Sequence, residues 1–145
     1  MTNITTVKPP VWFWIVGALA LLWNIMGVLA YLGQAYISIE DLEKMTQAER
    51  LLHESQPAWV TASFAIAVWA GVIGSLALLL RKKWARQVLV ISLLGIIGHM
   101  VYMFFMSNTF EVVGSDKMGM PILVIIVGVA LVLFARSSQG KGWIS

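Results

Sequence analysis

The sequence predicts an all-α integral membrane protein: an antiparallel up-down-up-down bundle of four transmembrane helices with a short amphipathic outer helix. Four long stretches, 11–37, 58–80, 88–106 and 118–135, contain no Asp, Glu, Lys or Arg. A hydrocarbon core about 30 Å thick takes about 20 helical residues to cross, and each stretch reaches or approaches that length. Composition agrees: 59% of residues are hydrophobic and 12% charged, against roughly half and about a quarter in soluble domains. A soluble domain of this size buries only about two-thirds of its unfolded surface. A water-soluble bundle would also need a polar stripe along each helix, and these runs have none. The 145 residues read as a single membrane domain.

Span one starts where Pro9-Pro10 stop any helix from extending backwards, with Trp12 and Trp14 suited to the headgroup boundary. Its apolar run exceeds the roughly 7–15 residues of a secretory signal, and Ala18-Leu19-Ala20 lies inside the run rather than after it. An uncleaved helix is expected. Between spans one and two, Ser38 followed by Asp41 resembles a capping box. Leu42, Met45, Ala48 or Glu49, and Leu52 then recur at helical spacing. This predicts one amphipathic helix over about 38–52 lying on the surface, as a lid or a partner-binding element. Pro57 ends it before span two.

The charges set the orientation. Lys8, Arg81, Lys82, Lys83, Arg86, Arg136 and Lys141 fall on one side; Lys44, Arg50 and Lys117 share the other with all seven acidic residues. The positive-inside rule then places both termini in the cytoplasm, with Arg81, Lys82, Lys83 and Arg86 as the loop that touches anionic lipid. That clustering, rather than the net charge of +3, excludes nucleic acid as a partner.

Two seams of small and polar residues run through the apolar sequence. Span one carries Gly17, Ala20, Asn24, Gly27, Tyr31 and Gln34 at steps of three and four; span three carries Ser92, Gly95, His99 and Tyr102. Such steps hold one helix face. Span two repeats Ser63, Ala67, Gly71 and Ser75 every fourth residue, a packing pattern in which small side chains let backbones approach. At about 1.5 Å per residue, Asn24 and His99 both sit near mid-membrane, so the seams of spans one and three are expected to meet. Asn24, Tyr31, Gln34, Ser92, His99 and Tyr102 are the candidate polar or ligand-binding track. Gly17, Gly27, Gly95 and the span-two repeat are the candidate packing residues.

Several chemistries fall away. No span holds a carboxylate, and there is no cysteine. One His lies in the spans and the other, His53, in the outer segment, which is too few for haem ligation or a metal cluster. No nucleophilic triad or phosphate loop is present. The expectation is no enzyme, no cofactor and no metal.

Lys8-Pro9-Pro10-Val11-Trp12-Phe13-Trp14, Leu22-Trp23-Asn24-x-x-Gly27 and Leu80-Arg81-Lys82-Lys83-Trp84-Ala85, with Phe110-Glu111-Val112 and Lys141-Gly142-Trp143, resemble a group of small bacterial four-span proteins. That group carries the provisional label of sugar transporters, without a characterised function. The resemblance covers essentially the whole chain. It implies a bacterial inner-membrane location and tilts the expectation toward transport, and it assigns no residue a role. Three functions follow as expectations: an oligomeric small-solute, sugar-like permease using the Asn24/His99 seam; a non-catalytic interaction or assembly subunit; or a binder of a lipid-like or quinone-like molecule anchored by His99 and Tyr102. Membrane lipid is the expected partner, with a second copy or another membrane protein.

Overall fold

The computed structural model describes residues 7–107, 111 and 119–145. Its helices are α1 (Val11–Ala35), α2 (Ile39–Glu43), α3 (Gln47–Ser55), α4 (Ala58–Leu79), α5 (Ala85–Val101), a π-helical continuation over Tyr102–Met106, and α6 (Gly119–Gly140). Four helices are long and apolar enough to cross a membrane, with α5 and its π turn counted as one. Phe110, Val112 and the expected start of span four at Met118 lie outside the described residues.

The spans begin and end where the chemistry changes. Pro10 and Pro57, both extended, precede α1 and α4. Lacking an N–H, each sits where the helix would have had no partner for one. Span three starts at Ala85, three residues before the apolar run, and span four continues through Arg136 to Gly140. Helical hydrogen bonding does not stop where hydropathy does.

The connection between spans one and two corrects one expectation. It forms two short helices, not one. Ser38 caps the first by accepting from Asp41 N at 3.1 Å, as its spacing predicts. Thr46 and Glu49 then form a complete capping box for α3, with Thr46 Oγ1 accepting from Glu49 N and Glu49 Oε2 from Thr46 N. A second N-terminal signal inside the segment restarts the helix. Arg50 ties the pair together by donating to Leu42 O at 2.9 Å.

The largest contacts follow chain order, α1 on α4, α4 on α5 and α5 on α6, and at one end the first and last spans also meet, Trp12 and Phe13 packing on Phe134. Span two is the hub. Its small-residue repeat works as packing, but for two partners. Gly71 and Ser75 meet Asn24 of span one, while Ser63 and Ala67 meet Gly95 of span three. A step of four residues advances about 40° beyond a full turn, so a repeat on that step winds across the helix from one neighbour to the other. Gly17 lies against Leu79 and Gly27 against Val68, keeping span one on the same helix.

Three chain segments meet at one end of the bundle. Span two closes with Arg81 in the left-handed region, φ 58°, where Lys82 N reaches Ala77 O at 2.8 Å and Arg81 N reaches Leu78 O at 3.0 Å. This is a Schellman close with Arg in the place usually taken by Gly. The left-handed backbone costs a non-glycine residue about 1–2 kcal/mol. The side chain offsets that cost: its guanidinium donates to Trp143 O at 2.8 Å and to Val7 O at 3.0 Å. Span four closes in the same way with Gly142, φ 78°, which turns residues 143–145 back under the bundle. Ser145 N donates to Arg81 O, Lys83 N to Ser145 O and Val7 N to Gly142 O. Trp143 and Ile144 are buried with Phe13, Leu78, Leu89 and Ala135, and Trp143 packs edge-on against Trp12 and Phe13. Arg81 is therefore committed to this clasp, whereas Lys82, Lys83 and Arg86 are exposed.

Candidate functional site

Both seams face the bundle, and each meets span two. Asn24 donates through Nδ2 to Ala20 O of its own helix and to Ser75 Oγ at 3.1 Å. Ser92 donates to Ala67 O, and Gly95 lies on the same turn of span two. His99 stands with its ring centroid 5.0 Å from that of Phe64, whose other side meets Tyr31 edge-on at 5.6 Å. Tyr102 meets Trp59 edge-on. The Asn24 and His99 faces both turn inward. Asn24 and Ser92 border one small space and both approach Gly71 of span two, and Gln34 and His99 line a common cavity, while Phe64 contacts both Tyr31 and His99.

Away from the clasp the helices border two partly open cavities lined by both polar and apolar side chains. One cavity of about 190 Å³ lies between Tyr31, Gln34, Thr61, Phe64, His53 and Gln56. A second, of about 320 Å³, shares Gln34, His53 and Gln56 with the first and extends to His99, Tyr102 and Met103. Its roof is the 38–57 connection, through Met45, Glu49 and Leu52. Each cavity has room for several water molecules. The apolar positions at helical spacing therefore cover the protein's own spans, as a lid does.

The shared wall is ordered. Gln34 Nε2 donates to Gln56 Oε1 at 3.0 Å, and Gln56 Nε2 to Thr61 Oγ1 at 3.2 Å. The same heavy-atom positions also serve the reversed chain, Thr61 to Gln56 to Gln34, because amide and hydroxyl both donate and accept. Either way, the Gln34 amide keeps hydrogen-bonding capacity for the cavity. Among the described residues, the ring nitrogens of His99 and the hydroxyls of Tyr31 and Tyr102 have no hydrogen-bond partner in the protein.

Compared with family models, curated proteins and solved structures, the chain matches none. The residues of the site are then the ground for reading it.

A separate space of about 10 Å³ lies beside Asn24 and Ser92, bounded by Trp23, Ile96, Gly128 and Leu131. Of the six expected track residues, Tyr31, Gln34, His99 and Tyr102 line the two larger cavities, while Asn24 and Ser92 border this small one. Sequence reasoning missed His53, Gln56, Thr61 and Glu49. His53 and Glu49 share a helix face, being four residues apart. The capping box at Thr46 was the signal that places both on a helix of their own.

Proposed function

We propose that this protein is a small-solute permease of a bacterial inner membrane, with its vestibule toward the outer side and a closure at the inner one. Spans alternate in direction, both termini are cytoplasmic, and the 38–57 connection roofs the outer mouth. The polar vestibule at one end of the bundle carries this reading: hydrogen-bonding groups of His99, Tyr31 and Tyr102 lie uncommitted where a packing seam would leave none. The basic residues at the opposite end support the orientation. The 143–145 clasp is well placed as the inner closure, and the close packing around Asn24 and Ser92 as the barrier that must open for passage. A small solute suits the vestibule volume, including the sugar-like solute that the resemblance suggests.

The test is stopped-flow light scattering on proteoliposomes challenged in turn with glycerol, xylitol, tetramethylammonium chloride and sodium acetate. At least one solute should re-swell the vesicles faster than protein-free liposomes, and His99→Ala should slow it. Rates equal to those of bare liposomes for all four solutes would reject the permease.

A second reading is an assembly subunit. It is favoured by the sparse burial of the outermost spans, 17% of the span-one window and 11% of the span-four window. Those faces are open to lipid, a second copy or a partner. Crosslinking of cysteine pairs placed at Leu22 or Ile126 in native membranes distinguishes contact from bare lipid exposure.

A further inference from the structure

We infer that the vestibule selects small organic monocations, amines or quaternary ammonium ions, over neutral polyols and anions. The inference names the solute class of the site just described and rests on that site being a binding pocket. It starts from charge. Among the described residues, and histidines aside, Glu49 is the one carboxylate or base lining either cavity. Its Oε2 accepts from Thr46 N at 3.2 Å, while Oε1 has no partner among the described residues. Among the described residues no Lys or Arg lines the space. Of the two cations of the 38–57 connection, Lys44 stands 3.8 Å from Glu40 and 4.0 Å from Asp41, and Arg50 donates to Leu42 O while its Nε is buried without a partner. Glu40, Asp41, Glu43, Glu49 and Glu54 outnumber them, so the connection is net acidic. An anion entering this mouth is repelled by the Glu49 carboxylate, and a neutral polyol gains from it only hydrogen bonds that replace those it made to water. A cation gains.

The remaining lining suits the same ligand. Tyr102 and His99 present aromatic rings beside Glu49, and Met45 and Met103 add polarisable thioethers. Aromatic faces attract cations through their quadrupole, more strongly when water is excluded. Thioethers are soft and weak acceptors that do not demand a hydrogen-bond donor, which fits an alkylated ammonium. Where the ligand keeps N–H groups, the Gln34 amide oxygen can accept them. The neighbouring acidic side chains Glu43 and Glu54, both exposed, steer cations toward the mouth at low salt.

The probe is tetramethylammonium chloride, titrated calorimetrically into the full chain in detergent. The titration is run at pH 8. Saturable binding is expected, with xylitol and sodium acetate at least tenfold weaker. Glu49→Gln should weaken tetramethylammonium about tenfold without disturbing α3, since Gln serves a capping box as well as Glu does. Tyr102→Leu, which removes the ring, should bind tetramethylammonium several-fold more weakly than the parent. Xylitol binding as tightly as tetramethylammonium, or Glu49→Gln binding unchanged, would overturn the inference. The two readings fail separately. Passage of xylitol into proteoliposomes without tetramethylammonium binding removes the cation preference and leaves the permease. Tetramethylammonium binding without passage of any solute keeps the pocket and its selectivity while removing the permease.

Discussion

Gly95 lies so close to span two that a Cβ placed on it would stand 2.8 Å from Ala67 N and 2.8 Å from Ser63 O. Both obstacles are backbone, so neither can swing aside. Gly95→Ala should destabilise the protein by about 1–3 kcal/mol through overpacking. Gly33, with nothing within 4 Å, is the control. Gly33→Ala should be neutral or mildly stabilising, as helix propensity favours Ala by up to about 1 kcal/mol. Thermal unfolding in one detergent compares the two, and equal midpoints would contradict the close approach.

The Asn24–Ser75 bond calls for a double-mutant cycle with Asn24→Ala and Ser75→Ala. Side-chain hydrogen bonds between membrane helices couple by about 0.6 kcal/mol on average and at most about 1.7 kcal/mol. A coupling in that range is expected. A value near zero would mean that Asn24 is held by Ala20 O alone.

Arg81 combines a left-handed backbone with two guanidinium bonds, and substitution separates them. Arg81→Ala loses the bonds and keeps the backbone penalty. Arg81→Gly loses the bonds and relieves the penalty, so it should be the more stable variant by about 1 kcal/mol. Chemical denaturation in detergent reads the difference. Arg81→Ala matching Arg81→Gly would remove backbone strain from the explanation.

Sidedness is testable on a chain that has no cysteine of its own. Ser55 and Ser137 are both exposed. In intact cells a membrane-impermeant maleimide should label Ser55→Cys and leave Ser137→Cys untouched until the cells are opened. The reverse pattern would invert the proposed topology.

The spans were legible because lipid tolerates no uncompensated charge over some 20 residues, a constraint that long uncharged runs display directly. The cap at Ser38 and the small residues of span two were legible for equally local reasons. Helix partners were not. Spacing shows which face of span one is polar, and says nothing of which neighbour that face meets. The drift of the Ser63–Ser75 repeat, which sends its two halves to different helices, becomes visible only with three helices in place. The vestibule was half legible: the residues within spans had periodicity to mark them, whereas His53 and Gln56 reach the same space from a connection. The clasp was missed because Arg81 reads equally well as a lipid contact. Trp143-Ile144, apolar after a polar stretch, was its available sign.

The π turn at Tyr102–Met106 bears on how length can vary in this chain. A π-helical turn hydrogen-bonds to the fifth residue rather than the fourth, so it stores one residue more than an α-turn joining the same ends. Deleting a residue within an ordinary span swings everything beyond it by about 100° and carries buried faces out toward lipid. Deletion of one residue within 102–106 instead lets the segment relax to an α-helix, leaving Ala85–Val101 in register with span two. Span three thus holds an insertion in reserve, next to the residues that shape the vestibule.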